Sequence, residues 1–186
     1  VPKGGLALVP TDRGTQWLCA PPGQRLHDLI RQFLKPATSA FGEDADAVCK
    51  LVPGRTPFLT RKEDPVDLRP LLAQAFGQPT NPVPLAEFLD YQSRVSHPLT
   101  APASSRAKHM LVGYSVEEAT EENVEKPWRE TLEAFFWERL VPLGGVDTGT
   151  AAARDLCFRL NGVGRCLLGL APSFEYTQPE SENAIV

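Results

Sequence analysis

The sequence predicts a mainly α-helical protein with small β wings, arranged as winged-helix-like units. Three observations lead there. A short pattern occurs once near each end, Thr11-x-x-Gly14-x-x-Trp17-Leu18 and Asn161-x-x-Gly164-x-x-Leu167-Leu168. Each copy follows an apolar alternation suited to a strand, Leu6-Ala7-Leu8 and Leu156 to Leu160, and opens an apolar-periodic helix. Over about residues 65–172 the signals run helix, helix, helix, hairpin, helix. In both copies the short polar side chain starts the turn, and the glycine supplies a conformation or a close approach that a Cβ opposes.

Taken in order, residues 24–35 carry Leu26, Leu29, Ile30, Phe33 and Leu34 at helical spacing and stop at Pro36. The other face holds Arg25, His27, Asp28, Arg31 and Gln32. Periodicity fades over 37–64, where small and polar residues, an acidic run and Pro53-Gly54 predict an exposed connection with one short apolar piece at 47–52. Asp64-Pro65 reads as the cap and first turn of a helix that buries Leu68, Leu71, Leu72, Ala75 and Phe76 and closes at Gly77. The next helix, 84–95, turns Leu85, Phe88, Leu89 and Val95 inward and ends at His97-Pro98. Residues 100–108 read as a loop, and Ser115-x-x-Glu118 as a capping box or part of an exposed acidic loop.

The strongest helix spans 127–140, with Pro127 in its first turn and Trp128, Leu132, Phe135, Phe136 and Leu140 on one face. Trp137 falls off that stripe, where an exposed aromatic can anchor a partner. Gly144-Gly145 releases the chain into a hairpin with arms 146–150 and 156–160. The expected organisation is a truncated wing-plus-helix unit at 1–36, a connection at 37–64, a winged-helix domain at 65–172 and a tail at 173–186.

Composition narrows the function. Of 186 residues 42% are hydrophobic, enough to bury a core. No stretch reaches the roughly 20 apolar residues of a membrane span, and no leader opens the chain, so no membrane partner and a cytoplasmic location are expected. The chain starts at Val1 with Met110 as its one methionine, which reads as part of a longer protein lacking an amino-terminal region. Cys19, Cys49, Cys157 and Cys166 form no C-x-x-C pair and have no histidine at zinc spacing; neither metal nor cofactor is expected. His27, His97 and His109 sit in different elements, no Walker loop is present, and no nucleophile and base converge, so no enzyme and no catalytic residue are expected.

Charge bears on partners. The net charge is -4, but residues 1–35 carry five basic against two acidic residues, whereas 113–139 hold eight glutamates against Lys126, Arg129 and Arg139. An acidic helix before a wing repels phosphates, which disfavours nucleic acid. The alternative, a nucleic-acid-binding regulatory domain, requires Arg154, Arg159 and Arg165 to gather on one face. A salt titration separates the two, since phosphate binding weakens steeply with salt.

Two resemblances add to this. The strand-to-helix turn Leu160-Asn161-Gly162-Val163-Gly164-Arg165 and the tryptophan-bearing helix resemble winged-helix units found beside bacterial helicases related to the XPB repair helicase, where the turn reads L-T-x-x-G-R. Asn replaces Thr here, and the first copy has no Arg after its glycine. This resemblance implies a modular, non-catalytic role. The segment Ala47-Val48-Cys49-Lys50-Leu51 is similar to the cleaved region of the substrate protein of the type III-E CRISPR caspase-like peptidase, with Cys49 where that family carries Met. It implies a protease substrate in antiviral defence, with Val48, Cys49, Lys50 and Leu51 as the recognised and scissile segment. The sequence therefore reads as a protein-interaction module, its other contact candidates being Arg25, Arg31 and Trp137.

Overall fold

The computed structural model describes residues 10–34, 58–61, 64–66, 68–103, 106–112, 115–151 and 155–175. Five helices of eight or more residues are described, α1 (Asp12–Cys19), α2 (Pro22–Leu34), α3 (Arg69–Gly77), α4 (Leu85–Val95) and α5 (Glu121–Phe135), and a sixth is short, α6 (Gly162–Leu167). They surround two small antiparallel sheets. One joins β1 (Phe58–Arg61), β2 (Asp64–Pro65), β4 (His109–Val112) and β5 (Ser115–Glu118) in the order β2-β1-β4-β5; the other joins β3 (Val83–Pro84), β6 (Val146–Thr150) and β7 (Leu156–Leu160) in the order β3-β7-β6. The mainly helical class with small β elements thus holds in outline.

The core is aromatic. Phe76, Phe88, Phe135, Phe136 and Phe158 pack with ring centroids 4.8–6.0 Å apart, which ties α3, α4, the end of α5 and β7 together. Phe58 meets Trp128 edge-on at 6.0 Å and so joins the four-stranded sheet to α5. The stripe read on this helix is buried throughout, from Trp128 to Leu140. α5 passes into a π turn at Phe136–Leu140, which turns Trp137 outward while Phe136 and Leu140 stay inside.

The hairpin arms lie where the apolar alternation put them, with Val146 opposite Leu160 and Thr150 opposite Leu156. Gly144, at φ +67, turns the chain out of the π segment. Both copies of the repeated pattern are helix N-terminal caps: Thr11 Oγ1 accepts from Gly14 N at 3.1 Å, and Asn161 Oδ1 accepts from Gly164 N at 3.2 Å. Gly164 is needed for close approach rather than for an unusual φ, because its backbone lies against Gly145.

Several local expectations are corrected. Asp64-Pro65 does not open a helix; it pairs with β1 as a strand, Val66 N donates to Phe58 O at 2.8 Å, and α3 starts at Arg69. Phe58 and Leu59, inside the span read as an exposed connection, are buried, Phe58 by packing against Trp128 and the rest of the core. Residues 101–103 and 106–108 are a loop, as read, with Ala101 and Ala107 buried and Ala107 N donating to Pro98 O at 3.1 Å. Ser115 to Glu118 is an edge strand, and the cap lies further on, where Asn123 Oδ1 accepts from Thr120 N at 2.8 Å. The acidic run is therefore split, Glu117 and Glu118 in the strand and Glu121, Glu122 and Glu125 in α5, and Pro127 sits inside α5 rather than in its first turn. Val95, expected inward, is 40% exposed at the last position of α4. The strand read at 6–8 and the apolar piece at 47–52 lie outside the described residues.

Candidate protein-contact surface

α4 and α5 pack side by side because each presents an apolar stripe, Leu85, Phe88 and Leu89 on one and Val124, Trp128 and Leu132 on the other. Their outer faces then flank an open cleft of about 480 Å³, lined by Asp90, Ser93 and Arg94 from α4 and by Glu122, Glu125, Lys126 and Arg129 from α5. Three acidic and three basic side chains line it, so it carries no net charge.

One side-chain pair bridges it. Arg129 Nε donates to Asp90 Oδ1 across the helices at 2.8 Å and its Nη1 donates to Glu133 Oε2 one turn on at 3.5 Å. Arg94 Nε and Ser93 Oγ both donate to the Asp90 backbone carbonyl, at 3.0 and 3.1 Å. The Arg129 and Asp90 side chains are 37% and 60% exposed, so the pair contributes on the order of 0–1 kcal/mol to folding and serves mainly to orient the cleft. Exposed aromatics border these helices: Tyr91 on α4, and Trp137, 46% exposed and edge-on to buried Phe136 at 5.0 Å. Phe136 thus holds the indole that the sequence singled out.

The other candidates scatter. Arg25 lies on α2 with its guanidinium carbon 6.0 Å from the Trp17 ring centroid. Arg31 is also on α2, with its side chain outside the described residues, as are Val48, Cys49, Lys50, Leu51 and Arg154. Arg159 is on the outer face of β7, where its Nη2 donates to Asp147 Oδ2 at 2.8 Å; Arg165 is exposed on α6. Asn161 Nδ2 also reaches Asp147 Oδ1, at 3.2 Å, and the Gly144 carbonyl at 2.9 Å. These partners hold the Asp147 carboxyl below the usual carboxylate range, first through the Arg159 hydrogen bond and then through that of Asn161.

The three histidines are apart. His27 stacks on Phe174 at 4.1 Å, His109 lies in β4, and His97 Nδ1 accepts from Leu99 N at 3.3 Å to cap a 3₁₀ turn at Pro98–Thr100. Burial pushes the His97 pKa down, partly opposed by Glu121 and Glu125. Cys166 is buried and its thiol pKa is raised by that burial, Cys157 is half-buried and Cys19 exposed; all three are free. Among the described residues no group of three or more histidine, cysteine or carboxylate side chains could hold a metal ion, and no helix is long and apolar enough to cross a membrane.

Sequence reasoning missed the cleft itself. Asp90 and Arg129 lie 39 positions apart, and nothing in either helix's periodicity pairs them. No protein-family model, curated protein or solved structure matches the chain.

Proposed function

We propose that this chain is a non-catalytic protein-interaction module on a winged-helix arrangement, and that the α4–α5 face is its contact surface. The order α3, β3, α4, α5 and then the β6–β7 hairpin, with β3 added beside β7, supports the winged-helix reading once the β4–β5 hairpin, which stands between α4 and α5 and belongs to the other sheet, is taken as an insertion. In that arrangement α5 occupies the position of a groove-reading helix. The observation that carries the functional reading is the charge state of that helix. From Glu121 to Leu140 there are six glutamates against three basic residues, and Arg129, one of the cations lining the cleft, is bound to Asp90 at 2.8 Å. Phosphate binding requires an excess of free cations to replace condensed counterions; here acidic side chains outnumber basic ones along the helix and Arg129 is committed to Asp90. A cleft with no net charge favours a polar protein partner over a polyanion, and exposed Tyr91 on α4 and Trp137 after α5 are available as aromatic anchors on the same pair of helices.

The test is fluorescence anisotropy with a labelled duplex at about 50 and 200 mM salt, alongside a photocrosslinking residue at position 137. The proposal expects no salt-sensitive duplex binding and a discrete protein adduct that Arg129→Glu removes. Tight duplex binding that falls steeply with salt and is lost in Arg159→Ala or Arg165→Ala would replace it with the nucleic-acid reading.

A further inference from the structure

His97 stands where three elements meet. α4 ends at Val95, Ser96 N closes it by donating to Gln92 O at 3.0 Å, and the 3₁₀ turn at Pro98–Thr100 follows directly. That turn packs against α5 and opens the loop that leads into β4. Pro98, Ala101 and Ala107 are buried, and the Ala107 N–H to Pro98 O bond at 3.1 Å closes the loop onto the turn. The imidazole is 8% exposed, and its Nδ1 accepts from Leu99 N at 3.3 Å. A ring nitrogen that accepts carries no proton, so the neutral ring holds its proton on Nε2. A second proton can go only to Nδ1, where it turns the acceptor into a donor facing another N–H. Protonation and the Leu99 cap therefore exclude one another. The charged groups on the surrounding elements favour the cation. Glu121 and Glu125 of α5 attract it, whereas Arg94 of α4 is held on the Asp90 carbonyl at 3.0 Å and Arg106 of the loop on the Ala101 carbonyl at 3.4 Å.

We propose that His97 is an acid-operated latch on the loop between α4 and β4: when the ring takes its second proton, the imidazolium gives up the Leu99 N–H, turns toward Glu121 and Glu125, and frees the 3₁₀ turn with Ala101 and Ala107 from the position that the cap fixes. Burial places the change on the acid side of the ordinary histidine range, with the two glutamates partly opposing. The latch is thus closed at neutral pH and opens as the pH falls below about 6.5. Opening is local because little apolar surface depends on it. A proline and two alanines are uncovered, while the aromatic core around Phe76 and Trp128 stays intact. Glu125 also lines the α4–α5 cleft, so the same proton alters the charge balance at one wall of it. The latch does not require that face to be a contact surface, and either can fail alone.

NMR on the full chain tests it, with the His97 ring nitrogens followed from pH 8 down to the onset of acid unfolding beside the backbone amides of Leu99 and Ala107. The neutral ring should carry its proton on Nε2, and both amides should titrate with the ring's own midpoint. Exchange at Ala107, corrected for the intrinsic effect of pH, should be about tenfold faster on the protonated side, while Phe88 and Leu132 in the core keep their protection. Replacing both carboxylates, Glu121→Gln with Glu125→Gln, should weaken the ring's affinity for its second proton about threefold. His97→Asn, which keeps an acceptor for the Leu99 N–H, should leave both amides flat across the range. A neutral ring protonated on Nδ1, a ring still neutral where the chain unfolds, or a ring that titrates without moving Leu99 and Ala107 would overturn the proposal. So would loss of protection in loop and core together.

Discussion

Replacing Gly164 by alanine should be among the most damaging single-methyl changes in this protein, while the same change at Gly14 should be harmless or mildly stabilising. Both glycines occupy the third position of a capped helix, so local propensity treats them alike, and alanine is the better helix former by up to about 1 kcal/mol. Tertiary contact separates them. At 164 the new Cβ would collide with the Gly145 carbonyl oxygen and sit 2.9 Å from its carbon, both backbone atoms, and 2.5 Å from Leu160 Cδ1. The Gly145 carbonyl also accepts from Asn161 N at 3.2 Å, so moving it disturbs the cap as well. Overpacking costs about 1–3 kcal/mol when side chains can yield, and more when backbone must. A loss of about 3 kcal/mol is therefore expected for Gly164→Ala. At 14 the nearest atom is Thr11 Oγ1 at 3.4 Å, ordinary contact. Urea unfolding reads both: at a slope of about 2 kcal/mol/M, the first variant's midpoint falls by about 1.5 M and the second's stays or rises. Equal midpoints for the two variants would refute the close-approach argument.

Three further outcomes follow from the same geometry. The folded state lowers the His97 pKa through burial, so the unfolded chain takes up the proton first as pH falls below about 6.5. Stability should drop from pH 7.5 toward 5, and His97→Asn, which keeps a capping acceptor without the titration, should flatten thermal midpoints across that window. Asn161→Ala removes hydrogen bonds to Gly164 N, the Gly144 carbonyl and Asp147, and should cost about 1–2 kcal/mol by chemical denaturation; a loss below about 0.3 kcal/mol would show that the cap is replaceable by water. Trp128→Ala should cost about 3–5 kcal/mol because the side chain is fully buried, whereas Trp137→Ala should stay within about 0.5 kcal/mol and act on partner binding instead. Comparable losses in the two tryptophan variants would place Trp137 in the core and remove it as an anchor.

Sequence periodicity by itself determined the helices that carry a wide apolar face and the two hairpin arms, because burial on one side of a regular element writes its period into the chain. It also located both glycine turns, since a capping side chain three residues before a glycine is a local device. Elements whose stability comes from distant partners were not legible. β1 and β2 are four and two residues long and exist because β4, about 50 positions away, supplies the neighbouring strand. The start of α5 is obscured for a different reason: its cap at Thr120 and Asn123 is local, but Pro127 reads as a boundary and lies inside the helix instead. Only tertiary structure set Asp90 beside Arg129 and so converted two helix surfaces into a neutral cleft. It alone also distinguished Gly14 from Gly164, because identical local geometry becomes a packed joint only where another backbone comes within contact distance.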